Sequence, residues 1–406
     1  MFNNFTDNND SIANIPGTPI HIYSILMAVA FLVATLASWI KLYRRNIPTK
    51  TLEWSMLVIA IAGLIGARVW FVINNTSTIT TFVDMISIWN GGMAIEGGVM
   101  VAMIVGFLIF YGTSKQLEIS MWVYIDCIVP NILLGQAIGR WGNFFNQELL
   151  GANVHHPFTW LPTWINDHLH YLETSFHKGD ANGTYRQPLF LYESMASLVG
   201  WLILTIFIPK AGQMVSKKPW KLFPQTYISP RTTNPIKLKD ILLPWKVIKK
   251  WWWYYHFKKQ TWKQAYFDFS PDGLFAKSFV KKPWKTIKVN GSNQLSFKDK
   301  IKNQYLKLKY NMQPHCKPLI NLYNPHHYRI TYAGVSGASY FIFYGIIRMI
   351  LEPLRDSRDI MMIGNISTSM VLSGLWIIFG CILAIFAQFI APSRFRKGEW
   401  LYEKSY

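Results

Sequence analysis

Apolar residues in this chain gather into long runs separated by short polar stretches, with no sustained two-residue alternation between them. The runs lie near residues 20–40, 54–73, 93–111, 119–139, 188–208, 331–352 and 367–390. Each is about 20 residues long, the length an α-helix needs to cross the hydrocarbon core of a bilayer. The pattern predicts an all-α polytopic membrane protein of seven transmembrane helices. The fourth run contains Pro130, which membrane bundles tolerate because neighbouring helices satisfy the freed backbone groups. The first run follows MFNNFTDNND, which has no Lys or Arg. It is also longer than a signal-peptide core, so a retained span is expected.

Composition agrees with this pattern. Hydrophobic residues make up 51% of the chain and charged residues 15%, against about 25% charged in soluble domains. Bulk disorder and a fibrous repeat are excluded. Cys127, Cys316 and Cys381 are too few for a disulfide scaffold. Basic residues are placed unevenly. Lys41, Arg44, Arg45, Lys50, Lys115 and the tail cations fall on one side of the predicted spans, and Arg140, Lys178, Arg186, Arg355 and Arg358 on the other. The positive-inside rule then puts the N-terminus outside the cell and the C-terminus in the cytoplasm.

Residues 209–330 are a different kind of sequence. They carry 25 of the 41 Lys and Arg residues and only Asp240, Asp268, Asp272 and Asp299 as acids. Trp251, Trp252 and Trp253 are followed by Tyr254 and Tyr255, Pro recurs, and no clear helical or strand period emerges. The favoured reading is a cytoplasmic insert lying near anionic headgroups. Each Lys or Arg there gains about 1 kcal/mol, and Trp and Tyr prefer the interface. A nucleic-acid contact is less favoured, because no RNA-binding motif accompanies the basic residues. The expected organisation is a membrane core over 1–208 with an extracytoplasmic cap at about 140–187, the insert at 209–330, and the last two spans with a basic tail over 331–406.

Charges inside spans cost about 2.5–3.5 kcal/mol at mid-membrane and mark function by default. Candidates are His21, Arg68, Glu96, Asp126, Arg140, Glu148, Glu193, Arg348, Glu352 and Arg355. The plainer reading is that some only pair with each other, as Arg68 and Asp126 could. Three clusters stand out. Gly139 to Gly151 reads GRWGNFFNQELLG, an Arg among Asn and Gly that suits a phosphate. Arg348, Glu352 and Arg355 share one helical face. Trp89 to Gly98 brackets Glu96 with four glycines at the start of a span. A carboxylate buried there could act as a base, or could simply pair with Arg68.

Together these clusters resemble prolipoprotein diacylglyceryl transferase, a family of bacterial inner-membrane enzymes. The run Gly139 to Gly151 is similar to the family signature Gly-Arg-x-Gly-Asn-Phe-x-Asn-x-Glu-x-x-Gly at every fixed position. Further matches follow in the family's order: His21-Ile-Tyr23, Gly66-x-Arg68, Asp126, Gln187 to Glu193, then Arg348, Glu352 and Arg355. The resemblance covers about 18–208 and 331–390, and the insert has no recognised counterpart.

The resemblance implies transfer of the diacylglyceryl group of phosphatidylglycerol to a lipobox cysteine of a prolipoprotein, in the bacterial cell membrane. It implies Arg140 and Arg348 as phosphate-binding catalytic cations, with Asn143 as a donor and Tyr23 as a positioning residue. Gly98 would let lipid pass close to backbone. Asn146, Glu148, Gly151, Tyr192, Glu352, Arg355 and His21 complete the expected substrate-binding set. One position departs from the family: Glu96 stands where a histidine is common, and Asn90 where Asp is usual. The proton acceptor could be Glu96, His21, Glu148 or the leaving phosphate. No cofactor is implied, and no metal-ligand spacing is present. Rival readings are a transporter of an anionic substrate, which would want two related halves, a different membrane enzyme, and an inactive scaffold relative.

Overall fold

The computed structural model describes residues 22–45, 47–75, 83, 85, 94–117, 119–146, 151–154, 156–171, 184–228, 243–267, 297–312, 327–355, 362–363 and 366–394. The chain divides into two compact units. One comprises Met1–Leu117, Tyr124–Thr205 and Gly337–Ile382; the other comprises Glu118–Val123, Ile206–Ser336 and Leu383–Tyr406.

Among the described residues, seven helical stretches are long and apolar enough to cross a membrane: Ile22–Arg44, Lys50–Asn74, Gly97–Gln116, Met121–Phe145, Leu189–Leu222, Val335–Leu354 and Thr368–Ile390. Each matches one apolar run of the sequence. The first helices along the chain are α1 (Ile22–Arg44), α2 (Lys50–Asn74), α3 (Ile95–Gln116), α4 (Met121–Ile128), α5 (Asn131–Phe145), α6 (Thr163–His168) and α7 (Leu189–Leu202). The fourth span is α4 plus α5, broken at Pro130.

The break is repaired by side chains. Pro130 has no N–H for the carbonyl four residues back, and that carbonyl, of Asp126, accepts from Lys41 Nζ at 3.4 Å. The next residue, Asn131, donates through Nδ2 to the Cys127 carbonyl at 2.7 Å and to Ser38 Oγ at 2.9 Å. Its Oδ1 accepts from Trp201 Nε1 at 2.9 Å. One buried amide thus joins the spans that carry Ser38, Asn131 and Trp201.

Small residues set the helix contacts, as expected where lipid tails are as apolar as Leu and packing must drive association. On α5, Gly135, Gly139 and Gly142 recur along one face. A Cβ at these positions would lie 3.3 Å from the Ala30 carbonyl oxygen, 3.4 Å from Met27 Sδ and 2.9 Å from Tyr23 Cδ2. The facing residues on α1, Ala30, Met27 and Tyr23, also recur at three- and four-residue steps, so this contact fixes Tyr23 against the signature. Between α2 and α3, a Cβ on Gly66 would lie 2.6 Å from Val101 Cβ, and one on Gly97 would lie 2.5 Å from the Gly66 carbonyl oxygen. Gly98, the residue expected to line a lipid path, also packs closely on α2. Its hypothetical Cβ lies 3.1 Å from the Gly63 carbonyl oxygen and 3.3 Å from Ala67 Cβ.

Asp126 and Arg68 also find partners. Asp126, 1% exposed, accepts the Gly337 N–H at 2.8 Å. That places a carboxylate at the start of the sixth span, where the helix dipole favours negative charge. Arg68 Nε donates to the Met85 carbonyl at 3.1 Å, and its guanidinium lies 5.5 Å from the Phe71 ring centre.

The cap is a small three-stranded antiparallel sheet of β1 (Asn153–Val154), β2 (His170–Tyr171) and β3 (Thr184–Arg186), in the order β1-β3-β2, joined by α6. Its core is Leu161, Ile165 and Leu169 packed with Phe144 and Phe190. Asn166 closes the loop before α6 by accepting the Phe158 N–H at 3.0 Å and donating to the Phe158 carbonyl at 2.8 Å.

The second unit contains α8 (Pro244–Phe267) and α9 (Phe297–Met312). Both fall in the segment whose sequence gives no clear period. The Trp and Tyr run spreads bulky residues around the whole helix and hides the few that are buried. Trp262, Tyr227 and Tyr328 form a core there, with Trp220, Leu222, Phe223 and Ile330 against it. Burial pushes the Tyr328 phenol up to about 12, so it stays neutral.

The kink repair predicts that Asn131→Leu lowers stability by about 1–3 kcal/mol, since it strands the Trp201 N–H and the Cys127 carbonyl. A denaturant melt of the detergent-solubilised protein measures this. An unchanged midpoint would show that the amide is dispensable.

Candidate active site

Because spans run alternately up and down, the end of the fourth, the start of the fifth and the end of the sixth share one membrane face. The residues at these three places are Arg140 on α5, Glu193 on α7, and Arg348 at the end of α10 (Val335–Leu351). They meet in a chain of alternating charge. Arg140 Nε lies 2.5 Å from Glu193 Oε2. The other oxygen of Glu193 accepts from Arg348 Nη1 at 2.8 Å. Arg348 Nη2 lies 3.4 Å from Glu352 Oε2, which in turn lies 3.8 Å from Arg355 Nη1.

Hydroxyls flank the row. Ser369 Oγ accepts from Arg348 Nη2 at 3.3 Å, and Ser367 Oγ donates to Glu352 Oε1 at 2.9 Å. Ser369 lies on α11 (Thr368–Ile385), so the seventh span helps to fix the row. Glu193 and Glu352 are 4% and 3% exposed. Two buried carboxylates between three guanidiniums leave one positive charge in excess. Buried charges are costly unless paired and hydrogen-bonded. The row pairs each carboxylate with guanidiniums, leaves Glu352 Oε2 and Arg355 Nε without hydrogen bonds, and still favours an anion.

Donors remain for such an anion. Among the described residues Arg140 bonds Glu193 through Nε, which leaves both Nη groups for a ligand. Arg355 Nε is buried without a hydrogen-bond partner. Asn143 is buried one turn beyond Arg140. Its neighbour Phe144 packs into the cap core, with Trp141 and Phe145 against it. One short helical segment therefore carries the cation and, one turn on, anchors the cap.

The remaining expected residues fall as follows. Tyr23 sits against Gly142, and Tyr192 precedes Glu193 on α7. Asn146 ends α5, its N–H bonded to the Gly142 carbonyl at 3.0 Å. Gly151 pairs in a β-bridge with Arg355, and the Ala152 N–H bonds the Leu354 carbonyl at 2.8 Å. A Cβ on Gly151 would lie 2.5 Å from the Gln187 carbonyl oxygen. Only glycine lets the cap strand pass between Gln187 and the Arg355 segment. Glu96 starts α3, where the Ala94 N–H bonds the Ala67 carbonyl at 3.1 Å, beside Arg68. The Glu96 side chain, His21 and Glu148 lie outside the described residues.

Glu193 is the site residue that sequence reasoning left out of the site, although it closes the Gln187 to Glu193 motif. A lone carboxylate one turn into an apolar span was the available signal.

The family model described as prolipoprotein diacylglyceryl transferase matches residues 10–233 and 319–386. The chain belongs to the prolipoprotein diacylglyceryl transferase family. It is a multi-pass membrane protein. It is 36% identical over 165 residues to proteins named phosphatidylglycerol–prolipoprotein diacylglyceryl transferase from Streptococcus pneumoniae strain Hungary19A-6 and from the serotype 19F strain G54. The aligned part is 40% of this chain and 57% of each relative. The family match lapses over 234–318, so most of the basic insert lies outside the shared transferase core.

The shared carboxylate makes a stability prediction. Glu193→Gln leaves Arg140 and Arg348 short of their counter-ion and is expected to destabilise by about 3–5 kcal/mol. Adding Arg140→Met should recover part of the loss, measured as the coupling in a double-mutant cycle of denaturant melts. Strict additivity would mean that the two side chains act independently.

Proposed function

We propose that this chain transfers the diacylglyceryl group of phosphatidylglycerol to the lipobox cysteine of prolipoproteins. The observation that carries this reading is the row Arg140–Glu193–Arg348–Glu352–Arg355, with cations in excess, at the head of the family signature. The scissile bond joins a glycerol carbon to a phosphate oxygen. The cysteine sulfur attacks that carbon, a C–S bond forms, the C–O bond breaks, and glycerol phosphate leaves with the electron pair.

Charge builds on the departing phosphate, so fixed cations pointing at it stabilise the transition state. Arg140 and Arg348 take this role, held by Glu193, with Asn143 as a further donor. Arg355 and Glu352 steady the far end of the row, and Tyr23 and Tyr192 position lipid. The thiol attacks as thiolate, and its proton goes to Glu96, His21, Glu148 or the phosphate itself. Glu193 and Glu352 are engaged with guanidiniums. A transporter reading is not favoured. The membrane is a bacterial cell membrane, with the N-terminus and the site outside and the insert in the cytoplasm. We also infer that the insert meets anionic headgroups on its own side.

Purified protein in phosphatidylglycerol liposomes with a lipobox peptide tests the chemistry by mass gain on the peptide. Arg140→Ala is expected to slow transfer at least about 100-fold, and Arg348→Lys to slow it less, since charge stays but the forked geometry is lost. Folded, lipid-binding protein with no transfer would favour an inactive relative. In the same assay Glu96→Gln is expected to abolish transfer with the fold intact. Full activity would pass the base role to another group.

A further inference from the structure

The helix α8 has a composition that suits neither a soluble surface nor a span. It holds Lys246, Lys249, Lys250, Lys258, Lys259 and Lys263 within Pro244–Phe267. At about 2.5–3.5 kcal/mol for each lysine at mid-membrane, it cannot cross a bilayer. Yet Trp245, Ile248, Trp251 and Trp252 are 64%, 69%, 68% and 67% exposed. At 3.6 residues per turn they fall on one side of the helix. On the other side Val247, Lys250, Trp253, Tyr254 and Phe257 are half-buried, and Thr261 and Trp262 are buried.

Contacts within the second unit tie the helix to the ends of spans. Lys210, which follows about 20 residues of the fifth span, donates to Tyr255 Oη at 3.2 Å and lies 4.9 Å from the Tyr255 ring centre. Trp262 packs on Tyr328, which lies just before the sixth span, with ring centres 5.7 Å apart. The Gly212 N–H bonds Thr331 Oγ1 at 3.0 Å, which joins the exit of span five to the entry of span six. Both attachments therefore sit where spans leave the bilayer. Lys258 is crowded by Lys218 and Lys210. Burial first, then these like charges, lower its affinity for a proton, so the corner calls for an anion.

We propose that α8 lies in the plane of the membrane interface, with Trp245, Ile248, Trp251 and Trp252 sunk among acyl chains and Lys246, Lys249 and Lys250 on anionic phospholipid headgroups. A strongly charged helix with an indole-rich face and low net hydrophobicity is the physical type that seats this way. Lys and Arg gain from a negative leaflet, and Trp rings settle at headgroup level. The inference rests on the headgroup reading of the insert and is independent of the transfer chemistry.

The test uses the full chain in nanodiscs, with Cys316 and Cys381 replaced by Ala, and a spin label at Ile248→Cys or at Lys246→Cys on the opposite side. In nanodiscs rich in phosphatidylglycerol, the Ile248 label should collide freely with oxygen and little with a water-soluble nickel chelate, and the Lys246 label should do the reverse. Replacing phosphatidylglycerol by phosphatidylcholine, or Lys246, Lys249 and Lys250 by Gln, should raise nickel access at Ile248 severalfold. Equal nickel access at both labels overturns the seat. So does spin–spin broadening, which would mean a second copy covers the face, or protection that appears only when RNA is added. Lipid immersion that ignores headgroup charge overturns the part assigned to the lysines. Peptide lipidation is not the readout, so failure here leaves the transferase reading standing. Phosphatidylglycerol retained on the purified protein, counted by native mass spectrometry, separates the headgroup reading from the seat. Loss of that lipid in the triple-Gln variant with Ile248 still in water would sink the seat alone.

Discussion

A buried carboxylate shared by two arginines from different spans is the interaction on which the site depends. Glu193 binds Arg140 with one oxygen and Arg348 with the other. Either guanidinium alone would be a costly charge near the membrane. Either pair alone would be neutral and of little use for holding a phosphate. Extending the row through Glu352 to Arg355 keeps each carboxylate between cations and leaves the excess charge positive. The geometry needs three helix ends at one level, so the bundle and the row specify each other.

The rest of the first unit serves that placement. The glycine face of α5 brings Tyr23 against the signature. The Asn131 amide holds the broken fourth span in place, and with it the position of Arg140 nine residues on. The hydroxyls of Ser367 and Ser369 tie the far end of the row to the last span. Gly151 lets the cap strand reach the Arg355 backbone.

Most of this architecture is legible in the sequence. Apolar run length gave the seven spans, because hydrocarbon thickness leaves few alternatives. Arg140, Arg348, Glu352 and Arg355 were visible because charge in a span is expensive. Their connection through Glu193 was not, because a pairing between spans depends on which faces meet and no local pattern encodes that. A glycine that admits a ligand and one that admits a neighbouring helix look identical in a sequence, so the close contact of Gly98 with Gly63 and Ala67 was not legible either. The helix at Pro244–Phe267 was hidden by its own aromatic residues, which occupy both the buried and the exposed sides.

The segment Arg140–Phe145 has a mechanical consequence. Arg140 is gripped by Glu193, and Phe144, four residues on and on the same side of α5, is locked into the cap core. Side chains one helical turn apart cannot turn independently. Any tilt of the cap rotates the lever that aims the guanidinium, and any pull on the guanidinium is felt in the cap. Moving the cap and re-aiming the guanidinium are, in this molecule, mechanically linked.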